Sequence, residues 1–546
     1  MNPVVRAAAL CLVLLGGFAA ATHGARTLSA SSTSSATTTA TTVTSPASSV
    51  VAFSGHGWGH GLGLSQFGAY GYAKHGWTYD RILAHYYAGT TLGPAKVATV
   101  RVLIGEAKKT PLVSGTAWTV TDSTGAKVLL DPQTTIVLTP KLAIAGHPEL
   151  QPPLTFTAKQ PIAVGARPYR GKLTASSDGK VVHLVDTLGL EPYLKGVVPS
   201  EMPSGWAPEA LKAQAVAARS YALANLTKGR DFDLYGDTRD QAYGGVDAES
   251  PAASAAVDAT KGEVVLYKGK VADTLFFSTS GGRTASSLES TGKNVPYLVP
   301  VADPYDTLSP YHDWGPMLFD GAKVAKLLEA SSPIADLVVS NGPSGRVKSL
   351  TVVSDDESQV TLTGNQVRGA LELRSTWFTP ALLRLQPAAK TMTFGGAVTL
   401  SGIARGAGAL SLESKAAGQT TWAGAGSVEL DASGRFATIV KPALTTQYRL
   451  AWGDVRVGLA RIAVAARVDA TDTTAGVQGA IRPVVASGAV QLQQQDGTAW
   501  TTLSSTVTDG AGAWSFAGAL RPGTYRVRCA PGHGLAPGVS TPIVVQ

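Results

Sequence analysis

The sequence predicts a mixed α+β domain with an antiparallel β module inserted in it, followed by two all-β sandwich (Ig-like) repeats. Three observations predict this. Helical apolar spacing occurs on both sides of residues 95–187, short β-type runs broken by Gly, Asp, Pro and Ser turns fill that stretch, and an aromatic pattern recurs beyond residue 385. A chain of 546 residues is long enough for about three or four units, each with its own core.

The N-terminus carries Arg6, an apolar run from Ala7 to Ala21 and the small residues Gly24 and Ala25, the three-part layout of a secretory signal peptide over residues 1–25. The run is short against the roughly 20 residues that span a bilayer, so cleavage near Ala21 or Ala25 is expected, an uncleaved anchor being the alternative. Leu10 precedes Cys11 with almost no apolar run before it, which argues against lipidation there. Cleavage would leave Cys529 as the one cysteine, so the exported chain would rely on its cores rather than on disulfides. A net charge of +8 and a pI near 9.2 favour anionic surroundings such as wall polymers or membrane surfaces. Export, and the lack of a Lys/Arg-rich cluster, weigh against nucleic acid.

Residues 26–50 are Ser/Thr-rich with almost no large apolar side chain and read as a flexible linker. Residues 51–94 turn Gly- and His-rich and then helical. In residues 95–187 the runs VATVRVLIG, WTVTD, KVLL, TTIVLT and VVHLV read as strands of the β module. Residues 188–385 mix helices and strands. There Ser204 can cap a helix, Pro208 suits its first turn, and Glu209 favours its N-terminal dipole. Leu211, Ala215, Ala218 and Ala222 form one stripe of that helix, and Lys212, Val216, Arg219 and Leu223 a second. Residues 386–466 and 467–546 are the two repeats: Trp422, Asp431, Gly434 and Phe436 recur 78 residues on as Trp500, Asp509, Gly512 and Trp514. An aromatic core and a D-x-x-G turn between strands are expected in each.

Four stretches could carry chemistry. In GVVPSEMPSGW the carboxylate of Glu201 lies between Pro199 and Pro203, which restrict the backbone and would hold the acid on a rigid, irregular segment. A capping or surface glutamate is the plainer reading of the same pattern. In SGHGWGHGLGLSQFGAYG, His56 and His60 are four apart, but the intervening glycines point to a loop rather than a helical metal site. Phe67 stands where a nucleophile elbow around Ser65 requires glycine, so these glycines read as close backbone approach, with His60, Ser65 and Gln66 as polar contacts. The loop DLYGDTRDQAYGGVDAES offers Asp237, Asp240, Gln241 and Tyr243 to a hydroxyl-rich ligand and lacks the calcium-loop spacing. FFSTSGGRT ends a strand in small hydroxyl residues, Ser280 among them, and reads equally as a turn.

Taken together, LEPYLKGVVPSEMPSGWAPEALKAQAVAARSYAL, DTRDQAYGG, FFSTSGGRT and VPYLVPVADPYD resemble, in the same order, the stage II sporulation protein D (SpoIID)/LytB amidase-enhancer family. The resemblance covers about Leu188 to Trp314. It departs in one respect: the G-H-G-x-G-x-S-Q element stands at residues 59–66, N-terminal to the main motifs. The resemblance implies a catalytic domain acting on peptidoglycan glycan strands as a lytic transglycosylase, with Glu201 as its acid and no cofactor or metal. Met202 and Trp206 would then be apolar walls that raise its pKa. By matching position, Lys212 and Arg219 would lie near substrate, with Asp240, Gln241, Tyr243 and Ser280 as further glycan contacts. The other half of the family name implies a non-catalytic enhancer of a cell-wall amidase. A hydrolase using Asp237 or Asp240 as base is a third reading.

Overall fold

The computed structural model describes residues 43–45, 49–96, 99–227 and 230–546; the expected signal segment and most of the Ser/Thr-rich linker lie outside them. Strand outweighs helix, 44% to 16%, and five of the helices gather around one core. These are α1 (Gln66–Lys74), α2 (Tyr79–Tyr86), α3 (Leu190–Glu201), α4 (Pro208–Ala224) and α5 (Pro251–Ala259). Among the described residues no helix is long and apolar enough to cross a membrane.

Helix α4 is central because its small residues allow close approach on every side. Leu211, Ala215, Ala218 and Ala222 are buried, as are Ala213, Val216 and Ala217, and the helix packs against α1, α2, α3 and α5. A helix apolar nearly all round belongs inside a domain. It begins at Pro208 after Ala207, with Glu209 in its first turn; Ser204 makes no cap, since it stands three residues before the boundary.

The β module and these helices share that core: Trp118 and Phe156 from the module join Leu194, Val197 and Val216. The seven-stranded sheet runs Leu234–Tyr235, Thr99–Ala107, Val182–Gly189, Lys172–Ser177, Leu154–Ala158, Trp118–Thr121 and Lys127–Leu130. Strand Val182–Gly189 passes directly into α3, so the expected boundary at residue 187 falls within it. Asp186 and Leu173 are partners where this strand meets its neighbour.

A second core gathers Phe53, Trp314, Leu350, Val352 and Phe378. Strand Ser49–His56 lies between Asp313–Asp320 and Phe378–Pro387, antiparallel to both. Phe378–Pro387 continues the sheet to Val398–Arg405 in the first repeat and so bridges the expected boundary at residue 385.

Beyond it the described chain is all strand and turn. The repeated turns are alike: the Asp431 and Asp509 carboxylates each accept two backbone N–H groups across the turn, and Gly434 and Gly512 take φ of +69° and +77°. Phe436 and Trp514 are buried, but Trp422 and Trp500 are not core residues. Each lies half-exposed under an arginine, Arg449 at 4.1 Å and Arg526 at 4.2 Å.

Candidate active site

Glu201 is the last residue of α3, not part of an irregular segment as its prolines suggested. Pro199 is accommodated in the final turn, where Ser200 Oγ donates to the Gly196 carbonyl at 2.8 Å. The helix stops at Met202, which is extended ahead of Pro203, as a residue preceding proline prefers. The side chain of Glu201 is thus delivered from a fixed helical end.

Its Oε1 accepts the Ala242 backbone N–H at 2.7 Å, and Gln66 Nε2 donates to the Glu201 backbone carbonyl at 2.9 Å. Burial pushes the carboxyl up to about 7, against the opposing pull of the hydrogen bonds from Ala242 and Gln66. The residue keeps part of its surface open to solvent. Met202 is buried in the shared core, while half-exposed Trp206 stacks on Tyr70 at 4.5 Å and meets Phe67 at 4.7 Å.

The loop facing Glu201 is held from behind. Asp240 accepts from the Tyr221 hydroxyl at 2.9 Å and the Tyr235 N–H at 2.8 Å. Buried Gln241 accepts from the Tyr193 hydroxyl and donates to the Ala218 carbonyl. Tyr243, also buried, donates to Asp186 at 3.1 Å, and its ring fills the space that a side chain on Gly196 would occupy. These three residues were expected to touch glycan; they are spent on the fold, and together they aim the Ala242 N–H at Glu201. Asp237 is chelated by Arg239.

Arg219 is also placed differently from expectation. It is fully buried, bonded through Nε and Nη2 to Glu191 at 2.9 and 2.6 Å, and donates to the Val257 and Glu263 carbonyls. Every nitrogen of its guanidinium is engaged, so it ties α3 and α4 to α5 instead of facing a ligand. Lys212, two stripe positions earlier, is partly exposed and pairs with Glu209 at 2.7 Å.

The glycine-rich element is internal as well. Ser65 caps α1 through the Gly68 N–H, and Gln66 bridges to Glu201. His60 Nδ1 accepts the Leu62 N–H and Nε2 lies 3.0 Å from the Phe276 carbonyl; burial, aided by Arg368, lowers its pKa to about 4, so the ring is neutral. Ser280 is buried and donates to Asp306 at 2.9 Å. His56 pairs with Asp313 at 2.6 Å. Among the described residues no group of three or more His, Cys, Asp or Glu is placed to hold a metal ion.

Of the nine residues expected beside Glu201, then, Gln66 touches its backbone, Gln241 and Tyr243 flank the N–H that it accepts, and Asp240 anchors the same loop. Ala242 and Asp186 were missed. A backbone N–H leaves no side-chain signal, whereas Asp186 breaks the apolar alternation of VVHLVDTLG and was there to be noticed. Two cavities, of about 270 and 460 Å³, lie elsewhere, the first beside His56 and Asp313, the second beside Arg170 and Lys172; Glu201 lines neither.

Residues 178–267, which contain α3, α4, α5 and the Glu201 loop, match the family model SpoIID, stage II sporulation protein. The amidase enhancer of Bacillus subtilis (strain 168) is 38% identical over 141 residues, 26% of this chain and 19% of that protein. Stage II sporulation protein D of Bacillus amyloliquefaciens is 34% identical over 145 residues, 23% of this chain and 42% of the relative. The Bacillus subtilis protein of that name is 29% identical over 215 residues, 36% and 61% of the two lengths. The matches span less than two thirds of any of these relatives.

Proposed function

With a SpoIID domain over residues 178–267 as premise, we propose that this chain is an exported, wall-associated peptidoglycan-remodelling protein that cleaves glycan strands as a lytic transglycosylase. The observation that carries this reading is Glu201, a partly exposed residue whose carboxyl is held near 7 by burial against hydrogen bonds from the Ala242 N–H and the Gln66 side chain. A group with that pKa is protonated in a large fraction of molecules at neutral pH, as a general acid must be.

Protonated Glu201 gives its proton to the glycosidic oxygen while the bond to the N-acetylmuramic acid anomeric carbon breaks through an oxocarbenium-like transition state. The carboxylate left behind is stabilised by the Ala242 N–H. It then takes the proton of the sugar's 6-hydroxyl as that oxygen closes on the anomeric carbon, giving a 1,6-anhydro end and restoring the acid. Neither water nor a second carboxylate enters. That suits a site where Asp237 is chelated by Arg239 and Asp240 is bonded to Tyr221 and Tyr235. The half-exposed Phe67, Tyr70 and Trp206 cluster supplies ring faces beside the acid. The Ig-like repeats serve as spacing or wall-binding modules in this proposal.

One observation favours a second reading, a non-catalytic enhancer of a cell-wall amidase: a relative of 38% identity is named an amidase enhancer. Mass spectrometry of peptidoglycan strands treated with the chain and with Glu201→Gln decides between them. New 1,6-anhydro ends from the unaltered chain alone are expected; reducing ends would indicate a hydrolase. No cleavage, with stimulation of an added amidase, would establish the enhancer.

A further inference from the structure

Most of what recurs between the two β-sandwich repeats serves the fold. The Asp431 and Asp509 turns close backbone hydrogen bonds, and Phe436, Trp514, Tyr448 and Tyr525 are buried. The Trp422–Arg449 and Trp500–Arg526 pairs recur as well, yet they lie half-buried on an outer sheet face and fill neither core.

The two faces differ in one cross-strand partner. Arg449 lies opposite Glu413, whose carboxylate takes its Nε and Nη2 at 2.7 Å and pairs with Arg456 at 2.8 Å. Opposite Arg526 the second repeat has Gln493, whose Oε1 accepts the Arg526 Nε–H at 2.8 Å. Gln493 is buried and donates to Thr502 at 3.3 Å, so the guanidinium is held between a fixed amide and the Trp500 ring. Among the described residues neither Nη group of Arg526 makes a hydrogen bond. Two residues on, Arg528 spends only Nη1, on Gln491 at 3.3 Å. Neither arginine has a carboxylate partner there.

Residues two apart on a strand share a face, so these guanidinium groups project about 7 Å apart along Gly523–Ala530, at 3.4 Å per residue. That spacing suits successive charges of a polymer better than one small anion. A guanidinium fork grips two oxygens of one centre, and every phosphodiester of a polyol phosphate chain presents such a pair. In the first repeat Glu413 supplies the oxygens internally; in the second the chain supplies none.

We propose that the outer face of strands Ala489–Asp496, Ala499–Val507 and Gly523–Ala530 binds a polyol phosphate polymer of the cell wall. Arg526, backed by Trp500, and Arg528 each hold a phosphodiester. This deepens the wall-associated reading and rests on it, but not on catalysis at Glu201.

The test is calorimetric binding of polyglycerol phosphate by the full chain, by Gln493→Glu, which sets the first repeat's carboxylate beside Arg526, and by Arg528→Gln. Polygalacturonate, charged through carboxylates, is the comparison probe. The unaltered chain is expected to favour polyglycerol phosphate, and each substitution to lower that affinity roughly tenfold, the scale of a lost charge-assisted contact. Unfolding midpoints are expected to hold, since Glu413 shows that the sandwich accommodates a carboxylate opposite this arginine. Arg528→Gln reads the same face without touching buried Gln493. Affinity that survives both substitutions overturns the proposal. Equal or tighter binding of polygalacturonate overturns it too, by assigning the face to carboxylates. If polyglycerol phosphate binds as expected while the unaltered chain makes no anhydro ends, the face stands and the transglycosylase reading falls.

Discussion

Glu201 and Asp303 are both carboxyls that burial pushes up to about 7, yet their surroundings differ. Asp303 is wholly buried, accepts the Tyr86 hydroxyl at 2.9 Å, and lies where a side chain on Gly68 would collide with both its oxygens. Around it the glycine-rich element and the Ser280 turn are closed by internal bonds, and Gly63, at φ +73°, leaves room for the Leu275 carbonyl. Glu201 sits at a helix end, partly open, with its carboxyl bonded to the Ala242 N–H and the Gln66 side chain. A raised pKa therefore records burial in both places, and access to solvent is what would separate the proposed reagent from a scaffold.

The largest expected effect tests that separation directly. On the transglycosylase reading, Glu201→Gln is expected to lower anhydro-product formation by about 10²- to 10⁴-fold, the usual worth of a general acid, with strand binding retained. Asp303→Asn lowers stability, but its folded fraction keeps its turnover. Folded Asp303→Asn as inactive as Glu201→Gln would break the comparison.

Next in size is the buried pair. Arg219→Ala leaves Glu191 uncompensated in the core, a change that costs about 3–5 kcal/mol and is read as a fall in denaturant midpoint. Glycan affinity of the folded fraction is expected to stay unchanged, because Arg219 reaches no surface.

A pH experiment sharpens the contrast further. The Glu201 carboxyl moves from an ordinary 4.5 to about 7 on folding, so the fold favours its protonated form. Ionisation therefore costs stability progressively as pH rises from about 4.5 to about 7, and the cost is complete above that. Glu201→Gln escapes it: thermal unfolding is expected to match the unaltered chain at pH 4 and to show a gain of up to about 3 kcal/mol at pH 8. Asp186 and Asp303 share the same sign but remain in both proteins, so the difference isolates Glu201.

What was legible in the sequence was local. Apolar spacing located α4, and the D-x-x-G turns paired the repeats because their hydrogen bonds close within four residues. Proline placement drew attention to Glu201 but not to its helical state, since Pro199 falls in a final turn that tolerates it. Pairings between distant segments were hidden. Strand Ser49–His56 joins Phe378–Pro387 across most of the chain, and the Arg219–Glu191 bond joins two helices, so a charge that reads as a surface stripe became the centre of a core. Asp240, Gln241 and Tyr243 carried the right chemistry for a glycan, yet only their hydrogen-bond partners reveal that the loop's product is a backbone N–H.

The smallest expected effect concerns the other half of that stripe. Lys212 lies seven residues before Arg219 on α4, but its ammonium reaches solvent, paired with Glu209 and 5.7 Å from the Tyr79 ring. An exposed pair of this kind contributes little, so Lys212→Ala is expected to shift unfolding by less than about 1 kcal/mol. Stability is therefore a poor measure of this residue, and strand affinity is the better one. A severalfold loss of affinity is expected, with unfolding unchanged. Unaltered affinity would make Lys212 a solvated helix residue and leave the candidate site with Glu201 and its supporting loop alone.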